Sequence, residues 1–223
     1  MSQTPHERLF EHSNPFQTGK FGPSIEDIGC IPITNILLAD LANALQSNDT
    51  TDRDVALFFC EALLVKHPQS AELIAAVAPI IYKFICSDDK FLPYSAVPAF
   101  IHLKDRFKDY RERMLQFLTN SESAACTRAL EASETFLYPN EIQPLIAFQN
   151  DTEVSETEKM GGPWRYMRRD MALGKIERMI GQSFAKYESS ESKEDKVIFW
   201  WDWAPFLEWW NKQHGKWRSW LPF

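Results

Sequence analysis

The chain predicts an all-α fold, an irregular helical bundle or an α-α superhelix closed by a tryptophan-rich C-terminal cap. Three observations carry that prediction. Glycine is scarce, 8 in 223 residues, and residues 34–137 are dominated by Ala, Leu, Ile, Phe and charged residues at helical spacing. At 44% hydrophobic and 13% aromatic, the composition is ample for a buried core. Seven of the eight tryptophans, Trp200, Trp201, Trp203, Trp209, Trp210, Trp217 and Trp220, fall near the C-terminus with Phe199, Phe206 and Phe223 among them. So many indoles must seal a core or meet a partner.

Taken in order, residues 1–32 carry Pro5, Pro15, Pro23, Pro32, Gly19, Gly22 and Gly29 and read as an extended, loop-rich lead-in. Residues 33–149 form the helical body. Thr34 caps a helix to about Gln46, with Ile36, Leu37, Leu41, Ala44 and Leu45 on its apolar side. Thr51 and Asp54 make a variant capping box for Val55 to Lys66, apolar on a wide arc. His67-Pro68 stops it, Ser70 caps the next helix, and Leu73 to Ile85 is apolar almost all round, with a kink expected at Pro79. Phe100, Leu103, Phe107, Tyr110, Met114 and Phe117 recur at alternating steps of 3 and 4, which predicts one long helix from about Ala96 to Leu118. A helix from about Ser123 to Leu137 and a short segment from Glu141 to Phe148 complete the body.

Residues 150–162 read as an acidic, glycine-ended linker, and 163–223 as C-terminal helices forming one compact domain with the body. Pro163 opens a helix to about Tyr187 that carries Arg165, Arg168, Arg169, Lys175 and Arg178. Val197 to Trp203 reads as a short extended segment. Pro205 and Gly215 bracket a last helix, on which Phe206, Trp209, Trp210 and Gln213 share one face.

The net charge of −7 is unevenly spread: residues 1–160 hold 23 acidic against 13 basic residues. Such a body repels nucleic acid and anionic membrane at long range and attracts a basic partner at a rate that falls with salt. Cys30, Cys60, Cys86 and Cys126 are too scattered for a disulfide framework, with no C-x-x-C pair; buried free thiols are expected, above all at Cys60 and Cys86. The longest apolar run, Leu73 to Tyr82, is about half a membrane span. No secretory signal pattern opens the chain. A cytoplasmic protein without a membrane span is expected.

The chain holds no G-x-G-x-x-G, Walker A, G-x-S-x-G, H-E-x-x-H or EF-hand pattern. His6 and His12 bracket an acidic stretch, but residues six apart on a helix are rotated by about 240°, so their imidazoles do not converge on a metal. Asp52/Asp54 and Asp88/Asp89 occupy turn and cap positions, where carboxylates are favoured. His67 and His102 stand alone, with a core or surface role expected. The basic helix with Trp164 offers cations and stacking surface, yet its surplus suits docking on the acidic body better than nucleic-acid binding. No cofactor or metal is expected.

The consecutive helix pairs of residues 34–148, separated by proline-punctuated turns, resemble the HEAT/armadillo class of α-helical repeats. The resemblance rests on helix rhythm. It implies a curved binding surface, since proteins of this class act mainly as scaffolds and inhibitors, with a capped end. The reading that follows is a non-catalytic protein that captures a basic protein partner, in the manner of intracellular inhibitors such as immunity proteins that neutralise basic nuclease toxins. Its expected interaction surface comprises Trp201, Asp202, Trp203, Glu208, Trp209 and Trp210. Two alternatives stand beside it: a base-excision enzyme, which the resemblance to HEAT-like DNA glycosylases implies and the acidity opposes, and a binder of an apolar small molecule.

Overall fold

A computed structural model describes residues 3–14, 22–89, 91–120, 124–152, 167–184 and 202–213, and the backbone of 164–165, 187–189 and 197–201. Its class is the all-α one predicted from sequence; one small sheet is the exception among the described residues. The chain divides into two compact units, Met1–Arg128 and Ala129–Phe223. The linker assigned to 150–162 lies within the second and, from residue 153 onward, outside the described residues.

In the first unit, α1 (Pro5–Ser13) and α2 (Ile25–Gly29) form where a loop-rich lead-in was expected. The reason is local. Thr4 Oγ1 accepts from the Glu7 N–H at 3.4 Å while Glu7 Oε2 accepts from the Thr4 N–H at 2.7 Å, and Pro5 stands in the first turn. Ser24 and Asp27 repeat the device on α2. Leu9 and Ile28 are fully buried and give both helices a reason to dock.

Next come α3 (Asn35–Leu45), α4 (Thr50–Lys66) and α5 (Ala71–Ile85), capped by Thr34, Asp49 and Ser70. The cap of α4 is thus Asp49, which accepts from the Thr51 N–H at 2.7 Å, and not Thr51. Burial on α4 covers Ala56, Leu57, Phe59, Cys60, Ala62, Leu63 and Leu64, so this helix is the centre of the unit, with α1, α2, α3 and the helix Leu92–Ile101 packed on it. Phe58 and Val65 form its solvent stripe.

The single long helix expected over 96–118 is two: α6 (Leu92–Ile101) and α7 (Tyr110–Thr119), joined by a 3-10 turn at Lys104–Arg106. Aromatic packing overrides the helical period. Phe107 takes an extended conformation (φ −121°, ψ 121°), and its ring stacks on Tyr82 of α5 with centroids 4.4 Å apart and planes 11° from parallel. Phe100 packs on Phe107 at 5.6 Å and on Tyr110 at 5.0 Å. The Tyr82 hydroxyl donates to Asp109, which also accepts from Arg113 Nε at 3.1 Å. The stripe still faces inward, with Phe107 and Phe117 half-buried and Leu118 buried in place of Phe117.

The helix α8 (Ala124–Glu131) stops short of Leu137 and gives way to a 3-10 turn at Ser133–Thr135, where Thr135 Oγ1 bonds back to the Ala132 carbonyl at 2.8 Å. In the second unit α9 (Gln143–Ile146) and a 3-10 turn at Ala147–Asn150 pack against α10 (Arg168–Ile180). The helix expected from Pro163 to Tyr187 is therefore shorter at both ends. It ends at Gly181, whose φ of 69° is the left-handed conformation that terminates helices. Flanking it, β1 (Trp164–Arg165) and β2 (Tyr187–Ser189) pair with β3 (Val197–Trp201) in the order β1-β3-β2, parallel for β1 and antiparallel for β2. Trp200 pairs with Glu188 and Trp201 with Tyr187. The extended segment predicted over 197–203 is this central strand, and α11 (Ala204–Gln213) follows it.

All four cysteines are free; Cys60 and Cys126 are buried, Cys30 and Cys86 exposed. The expectation of burial is corrected at Cys30 and, where it was strongest, at Cys86. Cys86 stands one residue past the end of α5, as its C-cap, where the helix leaves the core.

Candidate functional site

The start of α11 is fixed by Asp202, whose Oδ1 accepts from the Ala204 N–H at 2.9 Å, and by Pro205 in the first turn. From there the helical period turns Phe206, Trp209 and Trp210 to one side. Phe206 is fully buried. Trp203 packs edge-on against it at 5.8 Å, and Phe184, just past Gly181, meets Phe206 at 5.6 Å and Trp209 at 5.3 Å. Trp210 lies 6.1 Å from Phe206 and 6.3 Å from Trp209. Edge-on and tilted rings at these separations each add about 0.5–1.5 kcal/mol beyond the area they bury.

The six residues expected at the interaction surface divide. Trp203 is buried, 4% exposed, and belongs to the core of the cluster. Its indole N–H has no hydrogen-bond partner among the described residues. Asp202 is half-buried and serves as the helix cap. Trp209 and Trp210 are half-buried and Glu208 is exposed, so these three remain at the surface, Glu208 carrying an ion pair with Lys212 at 2.7 Å. The backbone of Trp201 is the last rung of β3; its side chain, like Trp217, Trp220 and Phe223, lies outside the described residues. Comparison with protein-family models, with curated proteins and with solved structures gives no match. Function must be argued from the residues themselves.

The cations of α10 already have partners in their own unit. Arg178 Nε and Lys175 Nζ hold the two oxygens of Glu134 at 2.7 and 3.2 Å, and the buried Arg168 guanidinium lies 3.9 Å from Asp151. Burial works to raise the Glu134 carboxyl, but the bonds from Arg178 and Lys175 outweigh it and keep it below its ordinary range. The docking of this helix on acidic neighbours is what the sequence favoured over nucleic-acid contact.

One cluster in the first unit assembles the residue types of a hydrolytic triad. Asp52, in the first turn of α4, accepts on Oδ2 from the Ser47 hydroxyl at 2.6 Å, and on Oδ1 from the His6 N–H at 3.0 Å, with His6 Nδ1 at 2.7 Å. In a triad the imidazole stands between hydroxyl and carboxylate. Here the carboxylate stands between the other two. The second ring nitrogen of His6 is 3.4 Å from Thr4 Oγ1, beyond the usual reach of about 2.6–3.2 Å for proton transfer. Moreover, the N–H groups of His6 and Glu7 are already given to Asp52 and Thr4, and Pro5 has none, which leaves the first turn of α1 no donor pair for an oxyanion. The cluster is an anchor for α1.

The paired histidines go separate ways, His6 to Asp52 and His12 Nε2 to Asp40 at 2.9 Å. His67 Nε2 contacts the Gly29 carbonyl at 3.1 Å, and His102 is the C-cap of α6. Asp89 caps the start of α6, accepting from Phe91 and Leu92 at 2.7 and 2.9 Å, bonds that hold its carboxyl below the ordinary range. Among the described residues no group of three His, Cys, Asp or Glu is placed to hold a metal ion, and no helix is long and apolar enough to cross a membrane.

Sequence reasoning missed the role of Asp52, taken for a capping residue, and missed Arg53 and Lys83 altogether. These two line a pocket of about 620 Å³ in the first unit. The signal was faint: 30 residues separate them in sequence, on two different helices that border the same pocket.

Proposed function

We propose that this protein is a non-catalytic binding protein, inhibitor-like in kind, that captures a basic protein partner and acts in the cytoplasm. The observation that carries the reading is the state of the aromatic cluster. Trp203 and Phe206 already fill the core of the second unit, while Trp209 and Trp210 remain half-exposed beside the exposed Glu208. Adjacent, rigid indoles at a partly open surface are what binding hot spots are made of. The acidic majority of residues 1–160 adds long-range attraction for such a partner. Four free cysteines suit a reducing compartment.

The experiment is capture by the immobilised full chain, side by side with a Trp209→Ala/Trp210→Ala variant, at low and high salt. A basic protein retained by the wild type at low salt, and lost both at high salt and from the variant, is the expected result. Retention unaffected by the variant, or an eluate containing nucleic acid in place of protein, overturns the reading.

A further inference from the structure

The pocket in the first unit is built by the end of α3 and by α4, α5 and α6. Its volume, about 620 Å³, falls in the range of small-molecule sites. Pro79, Ile80 and Phe84 of α5 with Leu92 of α6 give it an apolar wall. Among the described residues that line it, two carry charge, Arg53 and Lys83, and both are cations. That is an unexpected lining in a chain of net charge −7.

Neither cation is used up by the fold. Arg53 donates through Nη1 to the Ser47 carbonyl at 2.9 Å, which fixes the guanidinium at the turn between α3 and α4. Its Nε is buried and has no hydrogen-bond partner among the described residues. Lys83 is exposed and pairs with no carboxylate among them. Two nearby carboxylates are committed elsewhere, Asp52 to His6 and Ser47, and Asp89, whose charge Arg53 feels, to the N–H groups of Leu92 and Phe91. An oxyanion that enters the pocket meets a guanidinium and an ammonium in its lining, each able to give it a charge-assisted bond.

We propose that this pocket binds a small amphiphilic anion, its carboxylate or phosphate monoester group held by Arg53 and Lys83 and its apolar body laid against Pro79, Ile80, Phe84 and Leu92. The site is separate from Trp209 and Trp210, so it stands or falls independently of the protein-capture reading. The two headgroups share one chemistry, oxygen acceptors with negative charge, and the test separates them.

The full chain is titrated calorimetrically with decanoate and with decyl phosphate, each below its micelle concentration, and with decanol and inorganic phosphate as the uncharged and the tailless probe. Saturable binding of one equivalent of decanoate or decyl phosphate is expected, with decanol and inorganic phosphate each weaker by about tenfold or more. The better of the two anions identifies the headgroup. Lys83→Glu, an exposed position that leaves the fold alone, weakens the preferred anion by about tenfold or more, and Arg53→Gln does the same. The proposal is overturned if neither anion binds, if decanol or inorganic phosphate binds as well as they do, or if Lys83→Glu leaves the affinity unchanged.

Discussion

Asp52 is a buried carboxylate whose two oxygens serve different parts of the first unit, Oδ1 the backbone and ring of His6 on α1 and Oδ2 the hydroxyl of Ser47 after α3. Burial is the largest influence on its carboxyl and works to raise it, yet the bonds from Ser47 and His6 together hold it below the ordinary value. A depressed carboxylate adds stability at pH above its unfolded value, about 4, and loses it as pH falls through the folded one. Asp52→Ala is therefore expected to cost about 1–2 kcal/mol near neutral pH, since it strands the half-buried Ser47 hydroxyl and the His6 N–H. Urea unfolding at neutral and acid pH checks this: the gap between variant and wild type narrows below about pH 4. A second residue offers a spectroscopic test. The bond from Tyr82 to the Asp109 carboxylate holds the phenolic proton, and burial adds to it, pushing the hydroxyl up to about 12. Ultraviolet titration should show a tyrosine ionising late, near that value, and Asp109→Ala should return it toward about 10. A late step that survives Asp109→Ala assigns the proton to some other contact.

At the scale of elements, α11 is where packing and exposure separate most sharply. Phe206 touches Phe184, Trp203, Trp209 and Trp210, whereas Trp209 is half-exposed. Phe206→Ala is expected to cost about 3–5 kcal/mol and Trp209→Ala no more than about 2 kcal/mol, measured as the shift of the urea transition of the second unit. Equal losses from the two would make Trp209 a core residue. The helices that were legible in sequence are those with a locally decided start: α3 behind the cap Thr34, α5 behind the cap Ser70, and α11 behind Pro205 in its first turn. Those misread were decided at a distance or by a signal overlooked. Phe107 follows the helical period in sequence, yet its ring has more to gain from stacking on Tyr82 than its backbone has from one further turn. Gly181 announced the end of α10, and Thr4 with Glu7 announced α1; both signals are local, the second hidden among the prolines and glycines of residues 1–32. Of the candidate site, the aromatic face of α11 was readable from spacing. The burial of Trp203 was not, because spacing along α11 says nothing of a residue that precedes the helix and packs edge-on against the fully buried Phe206.

For the whole molecule, the division into Met1–Arg128 and Ala129–Phe223 gives each unit its own candidate surface. Charge is organised on the same scale. The basic surplus of α10 is absorbed by Glu134 and Asp151 of the same unit, while Arg53 and Lys83 stay uncompensated by any ion pair among the described residues. Net charge alone would assign every surface of this chain to a cationic partner, and the pocket shows why local charge must be read separately from the sum. The cysteines carry a last consequence. Cys30 and Cys86 face solvent, while Cys60 and Cys126 are sealed in the first unit, burial raising the Cys60 thiol well above its ordinary range. A thiol-reactive dye added to the native protein thus marks two sulfurs at once, and the remaining two only at the pace with which the first unit opens. The chain carries its own clock for that opening, without an engineered label.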